Sequence, residues 1–144
     1  MATERTAEAV WEGSLMEGSG TITKTGSGAL PELPVTWASR AESPEGRTSP
    51  EELIAAAHAA CFAMALSHAL AEAGSAPERL DTSATITFVP GTGITKAALT
   101  VTGRVPGIDE NAFREAAEGA KDGCPVSGAL KGNVELTLDA RLES

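Results

Sequence analysis

Basic residues are scarce in this chain: 11 lysines and arginines face 20 aspartates and glutamates, for a formal net charge of −9. A surface of that sign repels a phosphate backbone, which argues against nucleic acid as a partner. Cysteine is scarcer still. Two in 144 residues are too few for the disulfide scaffold of a secreted domain, and in a reducing compartment such a pair is catalytic, metal-binding or simply buried. The N-terminal run M-A-T-E-R-T-A-E has no apolar leader segment, so the expected location is the cytoplasm. Internal repeats and low-complexity tracts are missing too. The length suits one domain, residues 1–144, with a core of its own.

Against these absences stands one long apolar stretch, from Thr48 to Gly74. Ser49 offers an N-cap oxygen, Pro50 suits the first helical position, and Glu52 completes a capping box. No charge follows from Leu53 to Ala71, alanine dominates, and Gly74 stands where a left-handed cap is wanted. The pattern predicts one helix of about seven turns. Apolar on every side, it should be buried on every side. Lipid is the weaker choice of surroundings, because alanine is barely hydrophobic and His58, Ser67 and His68 interrupt the run. A central helix in protein is expected, its small side chains allowing close approach of a sheet or of a second copy.

The rest of the chain alternates turn signals with strand patterns. Strands are predicted over 6–15, 21–25 and 35–39, the first two as a hairpin, with Arg40 after the third. Beyond the long helix, 80–89 and 94–105 flank Pro90-Gly91-Thr92-Gly93 as a second hairpin. Asp109 caps a helix to Lys121, Cys124-Pro125 begins a short helix to Lys131, and 134–142 is a last strand. Strands segregated from helices give an α+β class with antiparallel sheets rather than a wound parallel one.

The two cysteines occupy different positions. Cys124, before Pro125, falls at an N-cap, where free N–H groups and the helix dipole favour a thiolate. Cys61 lies about three turns inside its helix, beyond the reach of the dipole, and needs a nearby cation if it is to be reactive; otherwise it is a small buried hydrophobe. His58, Cys61, His68 and Cys124 superficially suggest zinc. Cys61 and His68 are separated by about 10 Å of helix rise, whereas zinc ligands lie about 2.0 to 2.3 Å from one ion. No metal is expected; His58 is read as a polar group at the helix surface or a neighbour of Cys61, and His68 as structural.

The run from Ser49 to Ser67, S-P-E-E-L-I-A-A-A-H-A-A-C-F-A-M-A-L-S, and A-K-D-G-C-P-V-S from Ala120 to Ser127 resemble the signature pair of the osmotically inducible protein C and organic hydroperoxide resistance (OsmC/Ohr) family. V-W-E-G at Val10, I-T-K-A-A-L at Ile94 and V-P-G-I-D at Val105 extend the similarity over nearly the whole chain. The resemblance implies a thiol peroxidase on a two-sheet α+β fold, an intertwined homodimer without metal or organic cofactor. It would reduce organic hydroperoxides, and hydrogen peroxide more weakly, and be recycled by an external dithiol or lipoyl-type reductant. By the same resemblance Cys61 matches the peroxide-attacking cysteine, Cys124 the resolving one, and Glu51 the carboxylate that fixes an arginine beside the thiolate. Arg40 matches the arginine of the osmotically inducible branch, with Arg47 as rival across a loop of different length.

The chemistry suits these residues. A thiolate attacks the O–O bond, and the sulfenic acid stays reversible only if a second thiol traps it as a disulfide. Phe62, Met64 and Leu66 are candidates to wall the site against water. The alternative is a stress protein that binds a small hydrophobic ligand, its cysteines spectators. Helix arithmetic adds one expectation: Glu51 and Cys61 are separated by about 15 Å of rise and roughly 80° of rotation on a straight helix. One arginine cannot touch both, so Glu51, with Arg40, is expected to come from the second subunit unless the helix kinks near 55–57.

Overall fold

The computed structural model describes residues 2–143, and the chain divides after Leu53 into two compact units. The first holds a three-stranded antiparallel sheet, β1 (Ala7–Glu12), β2 (Ser19–Thr25) and β3 (Leu33–Val35), in that order. The short helix α1 (Trp37–Ala41) and the opening turn of α2 (Pro50–Glu72) complete it. Helix α1 replaces the strand predicted over 35–39. Val35, Thr36 and Trp37 favour extended backbone, but Thr36 and Ser39 form a reciprocal capping box, each side chain accepting from the other's backbone N–H at 3.0 Å. That local pairing ends the strand at Val35 and starts a helix.

The second unit holds the rest of α2, β4 (Arg79–Val89), β5 (Gly93–Arg104), α3 (Glu110–Gly123), α4 (Pro125–Leu130) and β6 (Glu135–Leu142). Strands β4 and β5 form the expected hairpin. Strand β6 does not follow the antiparallel expectation: it lies parallel to β5, from Lys96 opposite Glu135 to Gly103 opposite Leu142. The reason is the connection. Helices α3 and α4 carry the chain back to the end of the sheet where β5 began, a crossover that yields a parallel neighbour where a tight turn would yield an antiparallel one. The α+β class stands, with two small sheets and one long helix.

Helix α2 begins and ends as its sequence dictates. Ser49 Oγ accepts from the Glu52 N–H at 3.1 Å, while the Glu52 carboxylate accepts from Thr48 Oγ1 at 2.7 Å, so half of the expected capping box forms. At the other end Gly74 adopts φ +88°, and the N–H groups of Gly74 and Ser75 return to Ala71 and Leu70, closing the helix with a left-handed residue that only glycine adopts without strain. Phe62, Leu66 and Leu70, one above the other, enter a core with Leu99 and Val101 of β5, Phe113, Ala117 and Ala120 of α3, and Ala140 of β6. Each large side chain there contributes about 1.5–3 kcal/mol by burial. Burial on every side, however, does not occur within one chain. Ala56, Ala57, Ala60, Met64 and Ala71 are exposed, Met64 at 73%, because one sheet and two helices cover only part of the helix surface.

Candidate active site

Cys124 ends α3 and begins α4 at once: its N–H bonds Ala120 at 2.9 Å, and Pro125 occupies the next position. The corner thus made aims its side chain at α2. There the Cys124 and Cys61 sulfurs, 63 residues apart in sequence, share a hydrogen bond at 2.9 Å, and both are free thiols. That is about 0.9 Å more than an S–S bond of ~2.05 Å, so a disulfide needs only a small shift of either side chain. Cys124 is buried, 1% exposed, whereas Cys61 is half-buried. The expected N-cap position of Cys124 is found, but its sulfur makes no capping hydrogen bond.

Burial pushes the Cys61 thiol above its ordinary value, and the hydrogen bond shared with Cys124 adds to the rise; the backbone N–H of Val126, at the start of α4, pulls the other way by hydrogen-bonding the sulfur. The second unit by itself therefore favours the protonated thiol. His58, one turn before Cys61, is fully buried, and its Nε2 lies 2.8 Å from Ser127 Oγ, one turn after Cys124. It is not a surface residue. Burial lowers its pKa below 6.5, leaving a neutral ring. The spacings H-x-x-C and C-x-x-S within the two sequence runs carried the signal for this pair; Ser127 was not singled out from the sequence.

In the first unit Arg40, in the last turn of α1, donates through Nε to both oxygens of Glu51, at 2.7 and 3.2 Å. Glu51 is buried and Arg40 about one third exposed. Ser39 braces the pair by donating to the Thr48 carbonyl at 2.9 Å, tying α1 to the residue two before Pro50. Arg40, not Arg47, is thus the partner of Glu51; Arg47 is exposed in a turn. Beside Arg40 opens a cavity of about 350 Å³ lined by Trp11, Leu15, Val35, Thr36, Trp37 and Pro50.

Three side chains expected to wall the site do not form one wall. Phe62 and Leu66 are core residues with no exposed surface, and Met64 faces outward. Alternate positions on a helix point to different sides, so 62, 64 and 66 could not share a face. His68, expected to be structural, is exposed on an open groove with Met64 and Ser67. Among the described residues no three histidine, cysteine or acidic side chains cluster as metal ligands.

Two free thiols in hydrogen-bond contact, one of them reachable from outside, define a dithiol centre, the kind of site that passes between dithiol and disulfide. Residues 43–139 match the OsmC-like protein family, and the chain belongs to it. It is 46% identical to Peroxiredoxin OsmC of Escherichia coli (strain K12) over 147 aligned residues, the whole of both chains. To Organic hydroperoxide resistance protein OhrB of Bacillus subtilis (strain 168) it is 30% identical over 95 residues, 65% of this chain and 70% of that one. Among crystal structures, an organic hydroperoxide resistance protein from Elizabethkingia anophelis covers 99% of this chain and 100% of its own at TM-score 0.68 and 26% identity. An OsmC-like protein from Mycoplasma pneumoniae reaches 0.74 over the full length of both chains at 16% identity, a likeness of fold alone.

Proposed function

We propose that this cysteine-based peroxidase reduces organic hydroperoxides to alcohols, and hydrogen peroxide more weakly, in oxidative or osmotic stress defence. Cys61 is the attacking thiol and Cys124 the resolving one. The observation that carries this reading is the 2.9 Å contact between a reachable Cys61 and a buried Cys124. Cys61 S⁻ attacks the outer oxygen of R–O–OH, the O–O bond breaks, and the alkoxide leaves as the alcohol after taking a proton. Cys124 then attacks the Cys61 sulfenic acid; the S–O bond breaks and hydroxide departs as water with the Cys124 proton. An external dithiol of the lipoyl type restores the pair by exchange.

The attacking thiolate needs a positive charge, because burial raises Cys61. Arg40, fixed by Glu51, is the candidate. Since α2 runs without a break from Pro50 to Glu72, the ten residues from Glu51 to Cys61 span about 15 Å of rise. A homodimer in which a second copy supplies Arg40 and Glu51 resolves this, and the exposed apolar side of α2 at Ala60 and Met64 is the surface such a copy would cover. The tryptophan-lined cavity beside Arg40 suits an apolar tail, which supports the preference for organic over hydrated peroxide. Mass spectrometry after one equivalent of an alkyl hydroperoxide tests the reading. A loss of two hydrogens, localised to a Cys61–Cys124 disulfide, is expected. An unchanged mass overturns it and leaves the cavity as the site of a simple ligand-binding protein.

A further inference from the structure

His58 is a poor choice for a stable interior. Its ring is fully buried, its Nε2 is spent on Ser127, and its Nδ1 meets no partner in the protein. A half-satisfied buried imidazole costs free energy that an apolar side chain of similar size would not. Its one hydrogen bond, however, has a telling place. His58 precedes Cys61 by three residues and Ser127 follows Cys124 by three, so the bond forms a second rung between α2 and α4, one turn from the sulfur contact. Helix α4 has only six residues, too few to fix its own orientation by packing along its length.

We propose that the His58–Ser127 hydrogen bond positions Cys124 against Cys61 for the resolving step, and thereby decides whether oxidised Cys61 closes to a disulfide or is oxidised further. The inference rests on the peroxidase reading for its biological consequence, but not for its geometry. The Cys61 sulfenic acid has two fates. Cys124 attacks its sulfur and water leaves, or a second hydroperoxide transfers an oxygen to it, giving sulfinic acid and a second alcohol. The first route is intramolecular, and its advantage depends on holding the two sulfurs in line near contact. His58 and Ser127 touch neither the peroxide nor the reacting atoms. They are positioning residues, and their loss should slow resolution while leaving the attack by Cys61 intact.

A peroxide-independent experiment separates the two steps. An aryl disulfide such as dithionitrobenzoate first reacts with Cys61, releasing one coloured aryl thiolate. Cys124 then attacks the Cys61 sulfur of the mixed disulfide and releases a second. In Ser127→Ala and His58→Asn, whose side chains cannot complete the rung, the second release should slow by about tenfold or more, with the first within about twofold of the unsubstituted protein. His58→Gln, whose amide nitrogen reaches about as far as Nε2, should restore the second rate. With excess alkyl hydroperoxide, the ratio of Cys61 sulfinic acid to disulfide should rise by the same factor in the two defective variants. Unchanged second release in Ser127→Ala, which deletes one atom and carries the test even if His58→Asn fails to fold, overturns the proposal. So does equal slowing of both releases without rescue by glutamine. If the aryl disulfide results are as expected while alkyl hydroperoxide leaves Cys61 unoxidised, the peroxidase reading fails and the positioning role stands.

Discussion

The two compact units carry polar groups of different kinds. In the first, a charged pair, Arg40 with Glu51, stands beside an open apolar cavity, and strand β1 is exposed along its whole length. In the second, two sulfurs meet over a close-packed core of phenylalanine, leucine, valine and alanine, and the polar pair three residues away on each helix, His58 with Ser127, is uncharged. A thiolate is disfavoured there by burial, whereas the charged pair of the first unit is one third exposed on its arginine side. The lesson is that burial and charge lie in different parts of the chain: the core fixes sulfur geometry, and the charged pair stands in the more exposed unit, where a core would not penalise it; in the proposed reading that pair supplies the electrostatics.

The hardest break of this comparison is at the nucleophile. Cys61→Ser should reduce peroxide consumption to background, because a serine hydroxyl is not ionised near neutral pH, whereas Cys124→Ser should react once and then proceed to sulfinic acid. Mass spectrometry of the Cys61 peptide separates the two. Next come the packing differences. Phe62→Ala, in the fully buried core, should lower stability by about 3–5 kcal/mol, and Trp11→Ala, at 41% exposure, by about 1 kcal/mol or less; urea unfolding reads both. At Gly103 a methyl group would lie 2.5 Å from the Phe113 ring, so Gly103→Ala should cost about 1–3 kcal/mol by overpacking.

The electrostatic half breaks more gently. Arg40→Ala should slow the attack at neutral pH by about ten- to a hundredfold, the effect of a shift of one to two pKa units in Cys61, and the rate should recover as pH rises. Arg47→Ala should change it less than about twofold, and thiolate absorbance against pH distinguishes the two. Mixed dimers of Cys61→Ser with Glu51→Ala should regain activity above either parent if the charged pair is supplied by the second copy; confirmed subunit exchange without recovery would place Glu51 in the same subunit. The smallest effect concerns His58. Its folded pKa lies below the unfolded value of 6.5, so the unfolded chain binds the proton first as pH falls. The contribution of the neutral ring is complete above about pH 6.5 and is lost below it. The melting temperature should fall more steeply between about pH 6.5 and 5 in the unsubstituted protein than in His58→Gln.

Much of this was legible along the chain because it depends on neighbours in sequence. Ser49-Pro50, Gly74, Asp109 and Cys124-Pro125 mark helix ends through hydrogen bonds that span at most five residues, and the threonine-, valine- and isoleucine-rich segments on either side of Pro90-Gly91-Thr92-Gly93 mark a hairpin closed by a short turn. The one local element missed was α1, where the Thr36–Ser39 capping box outweighed β-branched and aromatic propensities. Resemblance supplied the four candidate residues, and helix spacing gave the expectation that Glu51 and Cys61 do not share one cation on one straight helix.

What the sequence could not determine depends on contacts across many residues. Whether β6 runs parallel or antiparallel to β5 follows from where α3 and α4 deliver the chain. The choice of Arg40 over Arg47 as the partner of Glu51 rests on the corner that Ser39 ties to Thr48. The pairing of His58 with Ser127, 69 residues on, and the 2.9 Å between sulfurs 63 residues apart exist only because α4 is folded against α2. Periodicity reports which side of an element is apolar, but not which other element will cover it, and the uncovered side of α2 at Met64 shows the limit: composition demanded burial, and one chain alone does not provide it.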